Sequence, residues 1–394
     1  MVVLCAGLGL GEATGVTDVR GTVIRLLAPE GTLVVEVDDP GISVTVDGGD
    51  IVITGAGAKE IRLKPGQYKI EASKDGKLVR QELVTVARNG RQVVRISKEA
   101  EPGGNAANVS AVNAWEKFVA ALPVDKQVEA VTQRLKKLNP DFNGQVTPTI
   151  QDGVVTGLEL LSDNVADLSP VRALAGLKSL DCRGDNSPDS KSKVSNLAPL
   201  RGMKLTRLVL DRTGVADLAD LRGMPLEQLL FSRTWVADLA PLRGMPLKRL
   251  EFGGTHVADL TPLEGMELET LYFPHARVTD LAPLRGMPLS ELHCGGTGVA
   301  DLKPLRGMPL KRLYIYQTRV DDLTPLRGMA LEELQIGGTA VTDLSPLKGM
   351  PLREIVIDHP LRPERDAAIL RSLTTLQKIN FKPTAEFWKE VDSK

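Results

Sequence analysis

Four histidines and three cysteines are the side chains of this 394-residue chain best suited to ligating a metal or attacking a substrate. His256, His275 and His293 fall in consecutive units of a 21-residue pattern, but at three different positions within the unit, which argues against a shared metal. Cys5, Cys182 and Cys294 are far apart, odd in number and without metal-type spacing, so neither a disulfide framework nor a zinc site is expected. Cys182 and Cys294 stand where the pattern calls for a buried apolar strand residue and read as small core residues. Asp185 and Asp189 lack the ligand spacing of a calcium loop. Arg183-Gly184-Asp185, an integrin-type tripeptide, reads as a short-motif coincidence. There is no Gly-x-Ser-x-Gly, no His-Glu-x-x-His, no paired nucleophile and base, and no set of kinase motifs. The chain therefore reads as non-catalytic, with no metal and no cofactor.

What remains is recognition chemistry, carried by aromatic and charged side chains on a repeating frame. From Leu205 the sequence is periodic at 21 residues, led by Leu205, Leu226, Leu247, Leu268, Leu289, Leu310, Leu331 and Leu352. Numbered from that leucine, the unit reads L-x-x-L-x-[LFIC]-x-x-T-x-V-x-D-L-x-P-L-x-G-M-P, and two looser units precede it from Val155 and Leu177. Positions four and six alternate inward on a short strand. Val at eleven and Leu at fourteen and seventeen fill the core from the other side. Asp at thirteen is placed to cap a tight helical turn that Pro at sixteen helps to start. Gly at nineteen lets the chain turn back. A single unit cannot bury its own apolar residues, so neighbours must stack at about 4.8 Å, giving roughly ten strands in a curved parallel sheet.

Positions three, five, seven and eight then point away from the core, free of packing duty. Position five holds Tyr272, His293 and Tyr314 in three successive units, and position seven adds Tyr316, so three of the four tyrosines fall on one face. Position three contributes Arg249, Glu291, Arg312 and Glu333. Position eight adds Arg212, Arg233, His275, Gln317 and His359, and position ten, on the exit loop, adds Trp235 and His256. Tyr and Arg bury area while keeping a polar end, which is what protein-binding hot spots use. The candidate partner-binding residues are Tyr272, His293, Tyr314, Tyr316, Trp235, Arg249, Arg312, Glu291 and Glu333.

The repeat resembles the leucine-rich-repeat family, most nearly the short bacterial, internalin-like type with its V-x-D-L-x-P-L second half. The resemblance covers residues 145–360. It implies an α/β solenoid with a parallel sheet on the concave face, short helical turns on the convex face, and a protein or peptide bound on the concave side. One position departs from the family. The usual Asn at nine is Thr in most units and Ala276 in one, so a weaker internal ladder is expected there.

The rest of the chain frames this solenoid. Residues 29–98 alternate as short strands broken by turns such as Asp47-Gly48-Gly49 and Lys64-Pro65-Gly66, which argues for a small all-β sandwich. Pro40-Gly41, Val44-x-Val46-Asp47-Gly48 and Leu63-x-Pro65-Gly66-x-Tyr68-x-Ile70 resemble the PEGA family of surface β-domains, found in bacteria beside membrane Ser/Thr kinases. Residues 99–112 read as a linker. In 113–140, Trp115, Phe118, Val119 and Leu122 form one apolar stripe, and Asp125 is placed to cap a second helix ended by Asn139-Pro140; this pair is expected to cap the solenoid core. Residues 361–394 form a second helical cap, with Phe381, Phe387 and Trp388 in it. The apolar run in residues 1–15 is too short to span a bilayer and reads as the end of a membrane helix that begins upstream, a possible membrane tether. Lys+Arg number 49 and Asp+Glu 50, so overall charge gives no reason to expect nucleic acid. The leading reading is a non-catalytic binding or scaffold protein at a membrane or cell envelope. The alternative is the sensor fragment of a membrane Ser/Thr kinase separated from its kinase domain.

Overall fold

In a computed structural model of the chain, residues 31–37, 41–46, 51–54, 57–64, 66–74, 77–86, 91–96, 114–185, 192–357 and 366–393 are described. The apolar start, the linker, His359, Asp189 and most hairpin tips lie outside the described residues. The chain divides into two compact units, Met1–Val112 and Asn113–Lys394.

The first unit holds seven strands: β1 Gly31–Val37, β2 Ile42–Val46, β3 Ile51–Thr54, β4 Gly57–Leu63, β5 Gly66–Lys74, β6 Lys77–Val86 and β7 Arg91–Ile96. They form two sheets, β4-β1-β7 and β3-β2-β5-β6, antiparallel except for β1 beside β7. Alternating residues of both sheets, among them Leu33, Val35, Val44, Val46, Ile70 and Val84, share one apolar core.

The second unit is a solenoid around one continuous core. Its 13-stranded sheet runs in chain order from β8 (Thr147–Gln151) and β9 (Val154–Glu159) to β19 (Lys378–Ile379) and β20 (Lys382–Pro383). Strands β9 to β19 are all parallel, while β8 and β20 are antiparallel hairpin partners at the two ends. The sheet is thus longer than the ten strands expected, because each cap adds pairing of its own. Position five of one unit always faces position five of the next: Glu251, Tyr272, His293, Tyr314 and Gln335 are successive partners. Position six makes the spine of the core. Phe231, Phe252 and Phe273 stack with centroids 5.8 and 5.3 Å apart and planes within 16°. Cys182 and Cys294 continue that row, fully buried. Burial pushes the Cys294 thiol up to about 12 and Cys182 higher still, so both stay protonated.

Three small devices recur in each unit. The Thr hydroxyl at position nine donates to the carbonyl three residues earlier, at 2.6–2.8 Å, in Thr213, Thr234, Thr255, Thr297, Thr318 and Thr339. This bond stays within one unit, so Thr closes its own turn and adds nothing to the ladder between units. The Asp carboxylate at position thirteen accepts the N–H two residues on, at 2.7–3.0 Å, one residue outside the short 3-10 turn it steadies. Positions seventeen to twenty then form a type II turn. Residue eighteen holds φ −52 to −57 and ψ 125 to 129. Glycine nineteen holds φ +70 to +78, and the Met N–H at twenty donates to the Leu carbonyl at seventeen over 3.0–3.1 Å.

The N-terminal cap is a pair of helices, α1 (114–120) and α2 (Val124–Leu138). Val119, Val131 and Leu135 join the solenoid core, and Arg134 lies over the Trp115 ring. Phe118, expected on the same stripe, is 61% exposed: α1 ends at residue 120, before Leu122, and it is Val119 that it buries against the core. Asp125 lies in the first turn of α2 without bonding its N-terminus, because Pro123 starts the helix. Asn139 does more than end it. Its amide donates to Leu135 O and Asp167 O and accepts the N–H groups of Ala166 and Asp167, joining cap to solenoid. At the other end, α3 (Asp366–Ser372) and α4 (Thr384–Asp392) flank β19 and β20. Phe387 and Trp388 are buried there, but Phe381 is 66% exposed at φ +65, in the turn that leads into β20. Among the described residues, no helix is long and apolar enough to cross a membrane.

Two substitutions separate core from turn. Phe252→Ala, in the middle of the stack, should cost about 3–5 kcal/mol. Gly307→Ala should cost only about 1–2 kcal/mol, because φ is +73 but nothing lies within 4 Å of the added methyl. Urea unfolding of both variants, compared at a common m-value, measures the difference.

Candidate functional site

The concave sheet brings together eight of the nine candidate residues. Parallel pairing puts Tyr272, His293 and Tyr314 side by side, with ring centroids 5.5 and 5.3 Å apart and planes at 67° and 74°. Tyr316 adds a third tyrosine: its hydroxyl lies 3.1 Å from His293 Nε2, and its ring meets those of His293 and His275 edge-on. His293 is therefore held on three sides by tyrosine rings.

Position three supplies the charges that fix these rings. The Tyr272 hydroxyl donates to Glu291, one unit on, and the Tyr314 hydroxyl donates to Glu333 in the same relation at 2.5 Å. Glu291 also accepts from Arg312 at 2.6 Å. Arg249 lies 5.4 Å over the Tyr272 ring and is ion-paired to Glu251. Position three was expected to be free of packing duty, but Glu291 is buried between its partners. So is Val209 at position five. A strand only three residues long, with neighbours on both sides, covers its short side chains with the long ones next to them.

Electrostatics follow from this network. Burial and the bond to Glu291 raise the Tyr272 hydroxyl well above its ordinary value, and burial with Glu333 does the same for Tyr314. Burial opposes the charge on Glu291, yet the bonds from Arg312 and Tyr272 outweigh it and hold that carboxyl below its usual range. Burial lowers His293, with nearby Glu291 pulling the other way and His275 adding to the fall.

Trp235 stands apart from this cluster. It is on the exit loop at position ten, 65% exposed, stacked on His256 with centroids 5.5 Å apart. Arg183-Gly184-Asp185 does not form a loop tip. Arg183 folds back on buried Asp181, and the Gly184 N–H donates to Asp211 O in the ladder, where a Cβ would meet Arg212 O at 2.5 Å. Among the described residues, no three His, Cys, Asp or Glu side chains are grouped to hold a metal.

The residues that sequence reasoning missed are glycines. Position eight is left-handed in every described unit from Arg212 on, and the chain puts Arg212, Arg233, His275 and Gln317 there at φ +52 to +60. Glycine pairs alternate with them: Gly253-Gly254, Gly295-Gly296 and Gly337-Gly338. Three of these glycines make room for a neighbouring side chain. A Cβ on Gly295 would meet the Tyr316 ring at 2.6 Å, one on Gly296 the His275 ring at 2.2 Å, and one on Gly338 the Gln317 side chain at 2.9 Å. Tyr316 and His275 thus lie across the glycine unit from opposite sides. The signal was present as Gly-Gly-Thr in every second unit from Leu247 on, a 42-residue super-period within the 21-residue repeat.

Comparison with known proteins agrees on the fold. No protein-family model matches the chain, and no curated protein matches it. Among solved structures, an internalin (InlF) from Listeria monocytogenes is 24% identical, with a TM-score of 0.50 over 57% of this chain and 67% of that one. Internalin C2 from the same organism is 21% identical, with a TM-score of 0.42 over 58% of this chain and 92% of that one. The functional domain of InlJ from Listeria monocytogenes is 20% identical, with a TM-score of 0.41 over 57% and 53%. The second unit is a leucine-rich-repeat solenoid, similar in fold to the internalin InlF.

Gly296 and Gly307 share the left-handed backbone but not the neighbour, which makes a clean comparison. Gly296→Ala should be clearly more destabilising than Gly307→Ala, and adding His275→Ala should return it to about the same 1–2 kcal/mol. If the double variant stays as unstable as Gly296→Ala, the packing of His275 on Gly296 is not the cause.

The lowered pKa of His293 also has a definite sign. Well above pH 6.5 neither folded nor unfolded His293 carries a charge. As pH falls through 6.5 the unfolded chain takes a proton that the folded one refuses, so stability falls down to the folded pKa. Between pH 7.5 and 5.5, the wild type should therefore lose more stability than His293→Gln. Equal losses in urea melts at the two pH values would show that His293 titrates normally.

Proposed function

We propose that this protein is a non-catalytic interaction protein that binds a protein or peptide along the concave face of its solenoid. The stripe Tyr272, His293, Tyr314 with Tyr316 is the anchor, and Arg249, Glu291, Arg312 and Glu333 form its polar frame. The observation that supports this most directly is the in-register pairing of the three position-five rings. The two tyrosine hydroxyls are tied to Glu291 and Glu333 of the next strands and His293 to the Tyr316 hydroxyl, so the rings are ordered before any partner arrives and little side-chain entropy is lost on binding. Large, rigid, half-buried aromatics with polar ends are the residues on which binding energy concentrates. The leucine-rich-repeat fold shared with InlF is consistent with an interaction role. On this reading Trp235 and His256 are a secondary contact at the rim. The β-unit is a PEGA-like display module, and the whole acts at a cell envelope.

The test is selection of peptides from a displayed library on the full chain, followed by affinity measurement with Tyr314→Ala/Tyr316→Ala. Loss of at least about tenfold in affinity, roughly 1.4 kcal/mol, with the thermal transition of the solenoid retained, is expected. Unchanged affinity would place the binding surface elsewhere.

A further inference from the structure

The side-chain circuit on the concave face occurs twice, two units apart, and only its first copy is closed. In the first copy the Tyr272 hydroxyl donates to Glu291 in the next unit, and Arg312 in the unit after that donates to the same carboxylate at 2.6 Å. In the second copy the Tyr314 hydroxyl donates to Glu333 in the next unit at 2.5 Å. The unit after that carries Glu354 where the first copy carries Arg312. Glu333 and Glu354 are register partners on adjacent parallel strands, so two carboxylates stand side by side where the first copy has a carboxylate and a guanidinium.

The cations nearby are already committed. Along this row stand Glu291, Arg312, Glu333, Glu354 and Lys378, three carboxylates and two cations. Arg312 is also a register partner of Glu333, but its guanidinium is turned to Glu291 and acts on Glu333 only at longer range. Lys378, on β19, reaches Glu354 at 3.6 Å. Lys311 and Arg353, one position earlier in their units, both lie on Glu332, at 3.3 and 3.6 Å. Among the described residues Glu333 therefore has no ion pair, and the side-chain amide of neighbouring Gln335 has no hydrogen bond. Glu333, Gln335 and Glu354 are all half-buried beside Tyr314.

Like charges opposed on neighbouring strands are unfavourable, and a cation between them reverses the sign. The first copy shows which cation the circuit takes. A guanidinium is planar and carries five donors in a fork, so it can hold carboxylates on two strands about 5 Å apart and still lie against a ring. An ammonium is a single, more strongly hydrated point and does this less well.

We propose that the open place between Glu333 and Glu354, beside Tyr314 and Gln335, receives an arginine side chain of the bound protein or peptide, closing the second circuit as Arg312 closes the first. The proposal rests on the concave-face reading and adds the chemistry of the partner to it.

The experiment uses the full chain with ring-13C tyrosine and N-acetyl-argininamide as probe, followed by NMR. The chain has four tyrosines, Tyr68, Tyr272, Tyr314 and Tyr316, so each signal can be assigned by a Tyr→Phe variant. The Tyr314 signal should move saturably and the Tyr68 signal should stay. N-acetyl-citrullinamide, similar in shape but uncharged, should bind at least tenfold more weakly, and N-acetyl-lysinamide should also be weaker. Glu333→Gln/Glu354→Gln should lower affinity for the arginine probe at least tenfold, and a thermal transition no lower than that of the wild type checks folding. Arg312→Ala opens the same place on Glu291, so there the Tyr272 signal should respond to the probe as well. A silent Tyr314 signal, equal binding of the citrulline analogue, or indifference to the double substitution would overturn the proposal. Peptides from the displayed library separate it from the reading beneath it. Peptides that need Tyr314 and Tyr316 but carry no arginine would leave the concave-face reading standing and remove this site. Binding of the arginine probe at Tyr314, with every selected peptide indifferent to both tyrosines, would keep the site and remove that reading.

Discussion

The solenoid depends on a ladder of hydrogen bonds that never leaves phase. At position six the N–H of each unit donates to the position-five carbonyl of the next, as Phe231 to Glu251, Phe252 to Tyr272, Phe273 to His293 and Cys294 to Tyr314. At position ten the direction reverses: Trp235 donates back to Val215 and His256 to Val236. Because the bonds run both ways, a unit is locked to both neighbours, and a one-residue slip would turn every core leucine outward. A strand of three residues has too few bonds to be stable alone. Its stability is borrowed from the units on either side, and each end of the parallel run is followed by an antiparallel strand and helices of its own.

That phase constraint explains why so much of the fold was legible and where legibility stopped. A residue type that recurs every 21 positions is being held by a geometry that recurs, so Leu, Val, Asp-Leu and Gly-Met could be read as strand, core, cap and turn. The caps have no repeat to average over. Phe118 and Phe381 read as core because they are large and apolar, yet they are exposed, since only the tertiary placement of a short element decides which way one side chain turns. The Gly-Gly pairs were missed for a different reason. Their meaning lies in neighbouring units, in the rings of Tyr316 and His275 that they admit, and a template built from one unit averages that relation away.

The aromatic stripe was legible in its membership but not in its state. Periodicity placed Tyr272, His293 and Tyr314 on one line, yet it said nothing of where their polar ends go. In the folded chain the hydroxyl of one unit is taken by the carboxylate of the next, and Arg312 closes the circuit on Glu291. These bonds run between units, as the backbone ladder does, so the face adds side-chain coupling to the same stack. A buried carboxylate that kept its charge without such donors would be costly. With them, Glu291 is ionised and the tyrosines stay neutral donors.

The consequence is that the scaffold and the side chains of its concave face are not separable layers on this protein. His275 and Gln317 occupy left-handed backbone where glycine would be unstrained, and the glycines beside them are spent on accommodating their side chains. Were position eight merely a turn, glycine in every unit would be the lower-energy choice. Alternating a strained large residue with a glycine pair instead lets side chains from two neighbouring units lie across the one between them. That arrangement roots Tyr316 and His275 in the sheet, and it holds His293 between rings in a single orientation. The strain is located where the surface is most elaborated, which ties the departures from the repeat to the face and not to the fold.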